Sequence, residues 1–162
     1  MSVRKGATTV CEDYECGSSA SQSMKMLGSW DKFFYRNLAG IASLSPGYRK
    51  VLIQPLPLGD LRSVSASEKT VRGTVNIEWT REATAFDLKV SIPAGMESDI
   101  AIPSLGLKNV RVAEGNATVW ESGVYAPGRS GLTGATANGD AIVFHSGSGL
   151  YHFTLSGLAS EP

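Results

Sequence analysis

The sequence lacks clustered charge, and this absence narrows the classes of partner. Its 162 residues include 15 lysines and arginines and 15 aspartates and glutamates, which are spread along the whole length. Nucleic acids and anionic membranes select for clustered basic side chains, so neither is an expected partner. A neutral small molecule or another protein surface fits this composition better.

Long apolar stretches are also missing. No run of 18 apolar residues occurs, so the sequence predicts no membrane-spanning segment. The N-terminal stretch MSVRKGATTVCEDYE has no apolar core of the kind that a signal peptide needs. The sequence therefore predicts neither a membrane anchor nor a secretion signal, and it leaves the compartment of the protein undetermined.

Cysteine and histidine are scarce, with two of each, and this scarcity limits metal chemistry. Cys11 and Cys16 could form a local disulfide, bind a metal as a pair or remain free thiols. The absence of a second ligand pair favours free thiols. His145 and His152 lie on two neighbouring predicted strands without a third ligand, which favours ordinary surface or edge-strand residues. No metal or cofactor is expected.

One segment, over about residues 21–41, has the periodicity of a helix. Apolar side chains recur along it at spacings of three or four residues: Leu27, Trp30, Phe34, Leu38 and Ile41. Ser45-Pro46-Gly47 closes the segment, because proline cannot continue a helix. A single helix with this much aromatic surface is not stable alone in water, so its apolar face must pack on another surface.

After Tyr48 the pattern becomes that of β-strands. Apolar and polar residues alternate over 71–79, with Val71 among the inward residues, and again over 86–92, which predicts a hairpin. Further strands are predicted over residues 50–54, 61–67, 99–102, 109–113, 118–121, 141–145 and 149–155. The last two are expected to form a terminal hairpin, and the Gly-, Ser- and Thr-rich stretch from 123 to 140 is expected to be a long loop.

These elements predict a mainly β fold. About eight short strands, punctuated by glycine and proline and uninterrupted by a helix, are typical of an antiparallel β-sandwich. One long α-helix is expected to precede the sandwich.

The acidic cluster Glu12-Asp13-Tyr14-Glu15 is the densest group of functional side chains. Hydrolysis of a glycoside needs two carboxyl groups, and one of these residues could act as the base. The alternative is a solvated acidic loop before a helix, where the helix dipole favours negative charge. Spacing alone favours the solvated loop.

Aromatic residues offer a second kind of candidate site, a platform on which a sugar ring stacks. Trp30 and Trp79 lie on apolar faces of their elements, which favours positions in the core. Trp120 is left undecided by its short strand. Trp120 and Tyr125 are therefore the candidates for an exposed sugar-binding platform.

The order of several motifs resembles the C-terminal end of bacterial α-L-rhamnosidases. Motifs similar to the end of that family's catalytic barrel are Gly6-Ala7-Thr8-Thr9 with Glu12, Leu27-Gly28-Ser29, Phe34-Tyr35-Arg36 and Leu38-Ala39-Gly40-Ile41. Motifs that resemble its C-terminal β-domain are Pro46-Gly47-Tyr48, Ile53-Gln54-Pro55, Pro127-Gly128, Gly139-Asp140-Ala141 and Gly147-Ser148-Gly149-Leu150-Tyr151.

The resemblance implies two parts, a remnant of an (α/α)6 catalytic barrel over residues 1–44 and a β-sandwich domain over residues 45–162. It also implies that the parent protein is a glycoside hydrolase, which removes terminal α-L-rhamnose from rhamnosyl glycosides with inversion and without a metal. Glu12 then becomes the candidate general base, which would polarise the attacking water.

Three departures from the family pattern argue against activity of this chain alone. Cys11 stands where the family usually has tryptophan, and Met24 stands near the place of a sugar-contacting histidine. Most of the barrel, including any general acid, is absent. We therefore expect an inactive C-terminal fragment whose exposed helix face favours self-association. The alternative is a sandwich module that binds carbohydrate without cleaving it or that has a purely structural role.

Overall fold

The computed structural model describes residues 33–127 and 131–159. The chain divides into two compact units, Met1–Phe34 and Tyr35–Pro162, and all strands of the described part belong to the second unit. Most of the predicted helix lies outside the described residues, as do Trp30 and the candidate base Glu12. Within the described part, no helix has the length and apolarity needed to cross a membrane.

The described end of the helical segment differs from the prediction. Phe34–Ala39 forms a short π-helix, and Ile41, predicted as the last helical residue, instead begins the first strand. Gly40 ends the helix because its backbone adopts a left-handed conformation, with φ of 79°. The apolar side chain of Ile41 is buried in the β core, so its place in the apolar pattern reflected burial in a sheet.

Twelve strands make up the β-domain in the described residues. They are β1 (Ile41–Ser43), β2 (Lys50–Ile53), β3 (Ser63–Thr70), β4 (Gly73–Arg81), β5 (Ala85–Ile92), β6 (Glu97–Pro103), β7 (Lys108–Glu114), β8 (Ala117–Glu121), β9 (Val124–Tyr125), β10 (Leu132–Asn138), β11 (Ala141–Ser146) and β12 (Gly149–Leu158). A 3-10 turn, Pro46–Tyr48, connects β1 to β2.

The strands form two sheets. The five-stranded sheet has the order β1-β2-β6-β11-β10, and the seven-stranded sheet has the order β3-β4-β5-β12-β7-β8-β9. All neighbours are antiparallel except β2 and β6, which run parallel. The prediction of a mainly β fold is confirmed.

One hydrophobic core lies between the two sheets. The ring of Phe144 on β11 meets that of Phe153 on β12 with centroids 5.0 Å apart, so the sheets pack face to face. Trp79 is fully buried, as its strand pattern predicted, and stacks on Phe86. The hairpin of β4 and β5 is also confirmed, but Val71 was wrongly assigned to its inner face. Val71 lies in the turn before β4 and is 85% exposed.

Two other local predictions are wrong. The predicted terminal hairpin does not form, because β11 pairs with β6 and β10 while β12 pairs with β5 and β7 in the other sheet. Both strands direct apolar side chains into one core from opposite sides. The stretch from 123 to 140 is not one long loop either, since it contains β9 and β10. Leu132 is the one buried apolar residue in β10, so this edge strand has no alternating apolar pattern.

Candidate functional site

The lead-in segment, which we define as residues 35–41, is built into the β-domain through main-chain contacts. The carbonyl of Gly40 accepts a hydrogen bond of 2.8 Å from the amide of Gln54 at the end of β2. The indole Nε1 of the buried Trp79 donates a hydrogen bond of 2.9 Å to the carbonyl of Leu38. One partner follows β2 directly and the other belongs to β4, so the lead-in segment is attached to both sheets of the β-domain.

An apolar surface lies beside this segment. Leu56 donates its amide to the carbonyl of Asn37 at 3.1 Å, which brings the loop after β2 against the lead-in segment. Tyr35, Leu56 and Leu58 are 43%, 44% and 46% exposed, and we call these three residues the lead-in patch. Exposed large apolar side chains on two segments that are joined by a hydrogen bond are a candidate interaction site.

A polar network occupies the outer face of the five-stranded sheet. Asp99 on β6 contacts Lys50 on β2 and Nδ1 of His145 on β11, both at 2.8 Å. Burial raises the pKa of the Asp99 carboxyl, but hydrogen bonds from Lys50 and His145 outweigh it and hold the pKa below its ordinary value. The network therefore joins three adjacent strands through one carboxylate.

Replacing Asp99 by asparagine should lower the free energy of unfolding at pH 7 by about 1 kcal/mol, because its half-exposed partners are screened by solvent. A lowered folded-state pKa gives stability that is present above the unfolded pKa and is lost as the pH falls through the folded value. The free energies of unfolding of Asp99→Asn and wild type, measured in urea, should therefore converge as the pH falls toward 3.

Asp87→Asn is the matched control, since Asp87 pairs with His152 on the outer face of the other sheet and is more exposed. Asp87→Asn should lower the free energy of unfolding less than Asp99→Asn does at pH 7. A difference between Asp99→Asn and wild type that is as large at pH 3 as at pH 7 would contradict the electrostatic explanation.

The two histidines do not form a joint site. His145 and His152 lie on strands of different sheets, and each contacts its own aspartate, Asp99 or Asp87. Across residues 33–127 and 131–159, no group of three side chains is arranged to hold a metal ion. Sequence reasoning missed the Asp99 network, because Lys50 and Asp99 meet only through the parallel pairing of β2 with β6.

The structure also decides the two aromatic candidates. Trp120 is buried, with 6% of its surface exposed, and Tyr125 is half-buried with its hydroxyl directed to the carbonyl of Leu132 at 3.3 Å. The prediction of an exposed stacking platform is therefore wrong for Trp120, whereas Tyr125 is partly exposed. Glu12 lies outside the described residues, and its predicted role stays a prediction.

Comparison with known proteins identifies relatives of this β-domain. Residues 40–117 match the bacterial alpha-L-rhamnosidase C-terminal domain. An alpha-L-rhamnosidase of Formosa agariphila is 31% identical over 126 residues, which cover 72% of this chain and 14% of that protein. An alpha-L-rhamnosidase of Streptomyces avermitilis is 28% identical over 162 residues, with coverage of 94% of this chain and 14% of the relative.

Solved structures agree with the sequence matches. The alpha-L-rhamnosidase from Dictyoglumus thermophilum aligns with a TM-score of 0.75 and 31% identity, over 96% of this chain and 17% of that one. The Streptomyces avermitilis enzyme, solved in complex with L-rhamnose, aligns with a TM-score of 0.68 and 27% identity, over 94% of this chain and 14% of that one. The chain thus spans about a seventh of the length of its curated relatives. It belongs to the bacterial α-L-rhamnosidase family and corresponds to the C-terminal domain of those proteins.

Proposed function

We propose that the chain serves as the C-terminal end of an α-L-rhamnosidase and does not hydrolyse rhamnosides by itself. In this proposal the β-domain packs against the catalytic part of the parent enzyme through the lead-in patch. The parent enzyme would act on terminal α-L-rhamnose in rhamnosyl glycosides, the substrate class that the family resemblance implies.

The observation that carries this proposal is the combination of a rigid lead-in segment with an exposed apolar patch beside it. Leu38 and Gly40 are fixed to the sheets by hydrogen bonds, whereas Tyr35, Leu56 and Leu58 leave close to half of their surface in solvent. In a domain that works alone, such a patch leaves each leucine without about 1 kcal/mol or more of the stabilisation that full burial would provide. A neighbouring part of the protein that packs on the patch would provide this stabilisation.

The division into a barrel remnant over 1–44 and a β-domain over 45–162 is part of the proposal. Its boundary is bridged by β1, since Ala39 and Ile41 are buried in the β core although they precede residue 45. The end of the barrel part would therefore contribute a strand to the β-domain, and this shared strand would couple the two parts mechanically.

Glu12 is proposed as the general base of the parent enzyme. In an inverting glycosidase the base activates water on one face of the sugar while a carboxylic acid protonates the leaving oxygen, with the two groups roughly 6.5–9.5 Å apart. The general acid would have to come from the catalytic part.

A domain exchange tests the packing role. Residues 35–162 would replace the corresponding domain of the Dictyoglumus thermophilum enzyme, and Leu56→Asp with Leu58→Asp would be introduced into the chimaera and into residues 35–162 alone. We expect the double substitution to destabilise the chimaera by about 3 kcal/mol or more, because two charges would be buried at the contact. The isolated domain should unfold almost as before, since both side chains are already half exposed.

Val71→Asp is the matched control, because Val71 is apolar and 85% exposed but lies at a turn outside the lead-in patch. Thermal unfolding and rhamnosidase activity of the chimaera are the measurements. A chimaera whose melting temperature responds equally to the patch substitutions and to Val71→Asp would rule out packing through this surface.

A further inference from the structure

We propose that a groove at one end of the two sheets is a binding site for an uncharged, hydroxyl-bearing ligand of the size of a sugar unit. The groove has a volume of about 490 Å³ and lies between the β6–β7 connection, the β8–β9 turn and the β10–β11 hairpin. Its described lining consists of Ser104, Asn109, Val110, Trp120, Ser122, Gly123, Ala137, Gly139, Ala141 and Ile142. This inference does not depend on the proposed packing role.

Four polar side chains of the lining make no hydrogen bond to any described residue. They are Ser104, Asn109, Trp120 and Ser122. Trp120 is the most informative of them, because it is only 6% exposed and a buried indole N–H ordinarily finds an acceptor. Trp79, the other tryptophan in the β-domain, follows that rule by donating to Leu38. The donor of Trp120, unused by the described residues, therefore points to an acceptor that this part of the chain does not supply.

Two of the same residues lie at positions with a left-handed backbone. Asn109 has φ of 52°, a conformation that asparagine adopts more readily than most residues. Ser122, with φ of 53°, and Gly123, with φ of 80°, form the two-residue turn between β8 and β9, where positive φ at both positions is usual. Neither the Asn109 nor the Ser122 side chain makes a hydrogen bond within the described fold, so both polar groups are available to a ligand.

The chemistry of the lining selects the class of ligand. Among the described residues that line the groove none is charged, so an ionic ligand would lose its hydration without gaining an opposite charge from them. Hydroxyl and amide groups can both donate and accept, which suits a ligand whose hydroxyls do the same. The apolar side chains of Val110 and Ile142 in the lining suit the apolar C–H face of a sugar ring, and the volume lies within the usual range for small ligands.

Titration of the full chain with L-rhamnose and D-glucose, followed by ¹⁵N NMR, tests the site. We expect saturable shifts of the Trp120 indole N–H and of the amides of Asn109 and Ser122, with at least a tenfold loss of affinity in Asn109→Ala. Asn76→Ala is the matched control, because Asn76 is exposed on β4 outside the groove. The absence of saturable shifts with both sugars up to about 100 mM, or equal affinity in Asn109→Ala, would overturn the proposal.

A second variant separates binding from stability. Asn109→Gly removes the amide side chain and also relieves the left-handed strain, so its melting temperature should equal or exceed that of wild type. Sugar binding should nevertheless fall at least tenfold. If Asn109→Gly binds sugar with the wild-type affinity, whatever its melting temperature, Asn109 has no role in binding and the proposed sugar site is wrong.

Discussion

Replacing Gly40 by alanine is expected to destabilise the β-domain by about 4 kcal/mol or more, which is large enough to abolish folding of a domain of ordinary stability. A Cβ atom at this position would lie 2.1 Å from the carbonyl carbon of Gln54, 2.2 Å from its oxygen and 2.4 Å from the nitrogen of Pro55. These are backbone atoms at the end of β2, so no rotation of a side chain relieves the overlap. The left-handed φ of 79° adds a further penalty for any residue with a Cβ.

The damage should spread from the lead-in segment into the core. Moving Gly40 away from Gln54 would break their 2.8 Å hydrogen bond and would pull Ile41 from its buried position in β1. It would also displace the carbonyl of Leu38, which accepts the indole N–H of Trp79. A buried donor left without its acceptor costs about 1–3 kcal/mol by itself.

Gly59→Ala provides the matched control for this prediction. Gly59 also has a left-handed backbone, with φ of 56°, but a Cβ there would meet nothing within 4 Å. It should therefore cost only about 1 kcal/mol, the conformational part of the penalty. Urea unfolding of residues 35–162 measures both variants. Equal losses of stability would show that the close approach of Gly40 to Gln54 is not what holds the lead-in segment in place.

Much of the fold was open to prediction because its inner strands alternate cleanly. Val75, Ile77 and Trp79 on β4 and the matching residues of β5 are buried as their spacing indicates, since a strand with one buried face needs an apolar residue at every second position. The same pattern placed Trp79 in the core. The mainly β class followed from these strands.

The features of the fold that were predicted wrongly depend on contacts that the spacing of residues in the sequence does not encode. Strands β11 and β12 are separated by two residues but enter different sheets, because both contribute apolar side chains to one core from opposite sides. Strand β10 lies at an edge and has too few buried residues to show a pattern. Ile41 matched a helical spacing although it packs in a sheet, because an apolar residue next to a helix end serves either arrangement.

The candidate sites were predicted less well than the fold. Trp120 and Tyr125 were chosen as an exposed platform, whereas the structure buries Trp120 and leaves its N–H unused by the described residues. The Asp99 network and the groove are each assembled from strands or loops that are distant in sequence. Polar residues of ordinary type at scattered positions give no signal until the topology brings them together.

The chain alone is expected to release no rhamnose from an aryl α-L-rhamnoside. Inverting hydrolysis requires a carboxylic acid and a carboxylate base on opposite sides of the scissile bond, and the loss of either removes most of the rate enhancement. Glu12 is one candidate, and the chain spans only about a seventh of the curated relatives that it matches. A pocket that binds the sugar and orients water would therefore come from the catalytic part.

Whether the chain lacks a complete active site is tested by rhamnose release from p-nitrophenyl α-L-rhamnoside, compared between this chain and the full Dictyoglumus thermophilum enzyme at equal concentration. We expect turnover by the full enzyme and a rate for the chain that is indistinguishable from buffer. A measurable rate for the chain that disappears in Glu12→Gln would contradict the proposal that the chain is inactive alone, because the chain would then contain a complete active site.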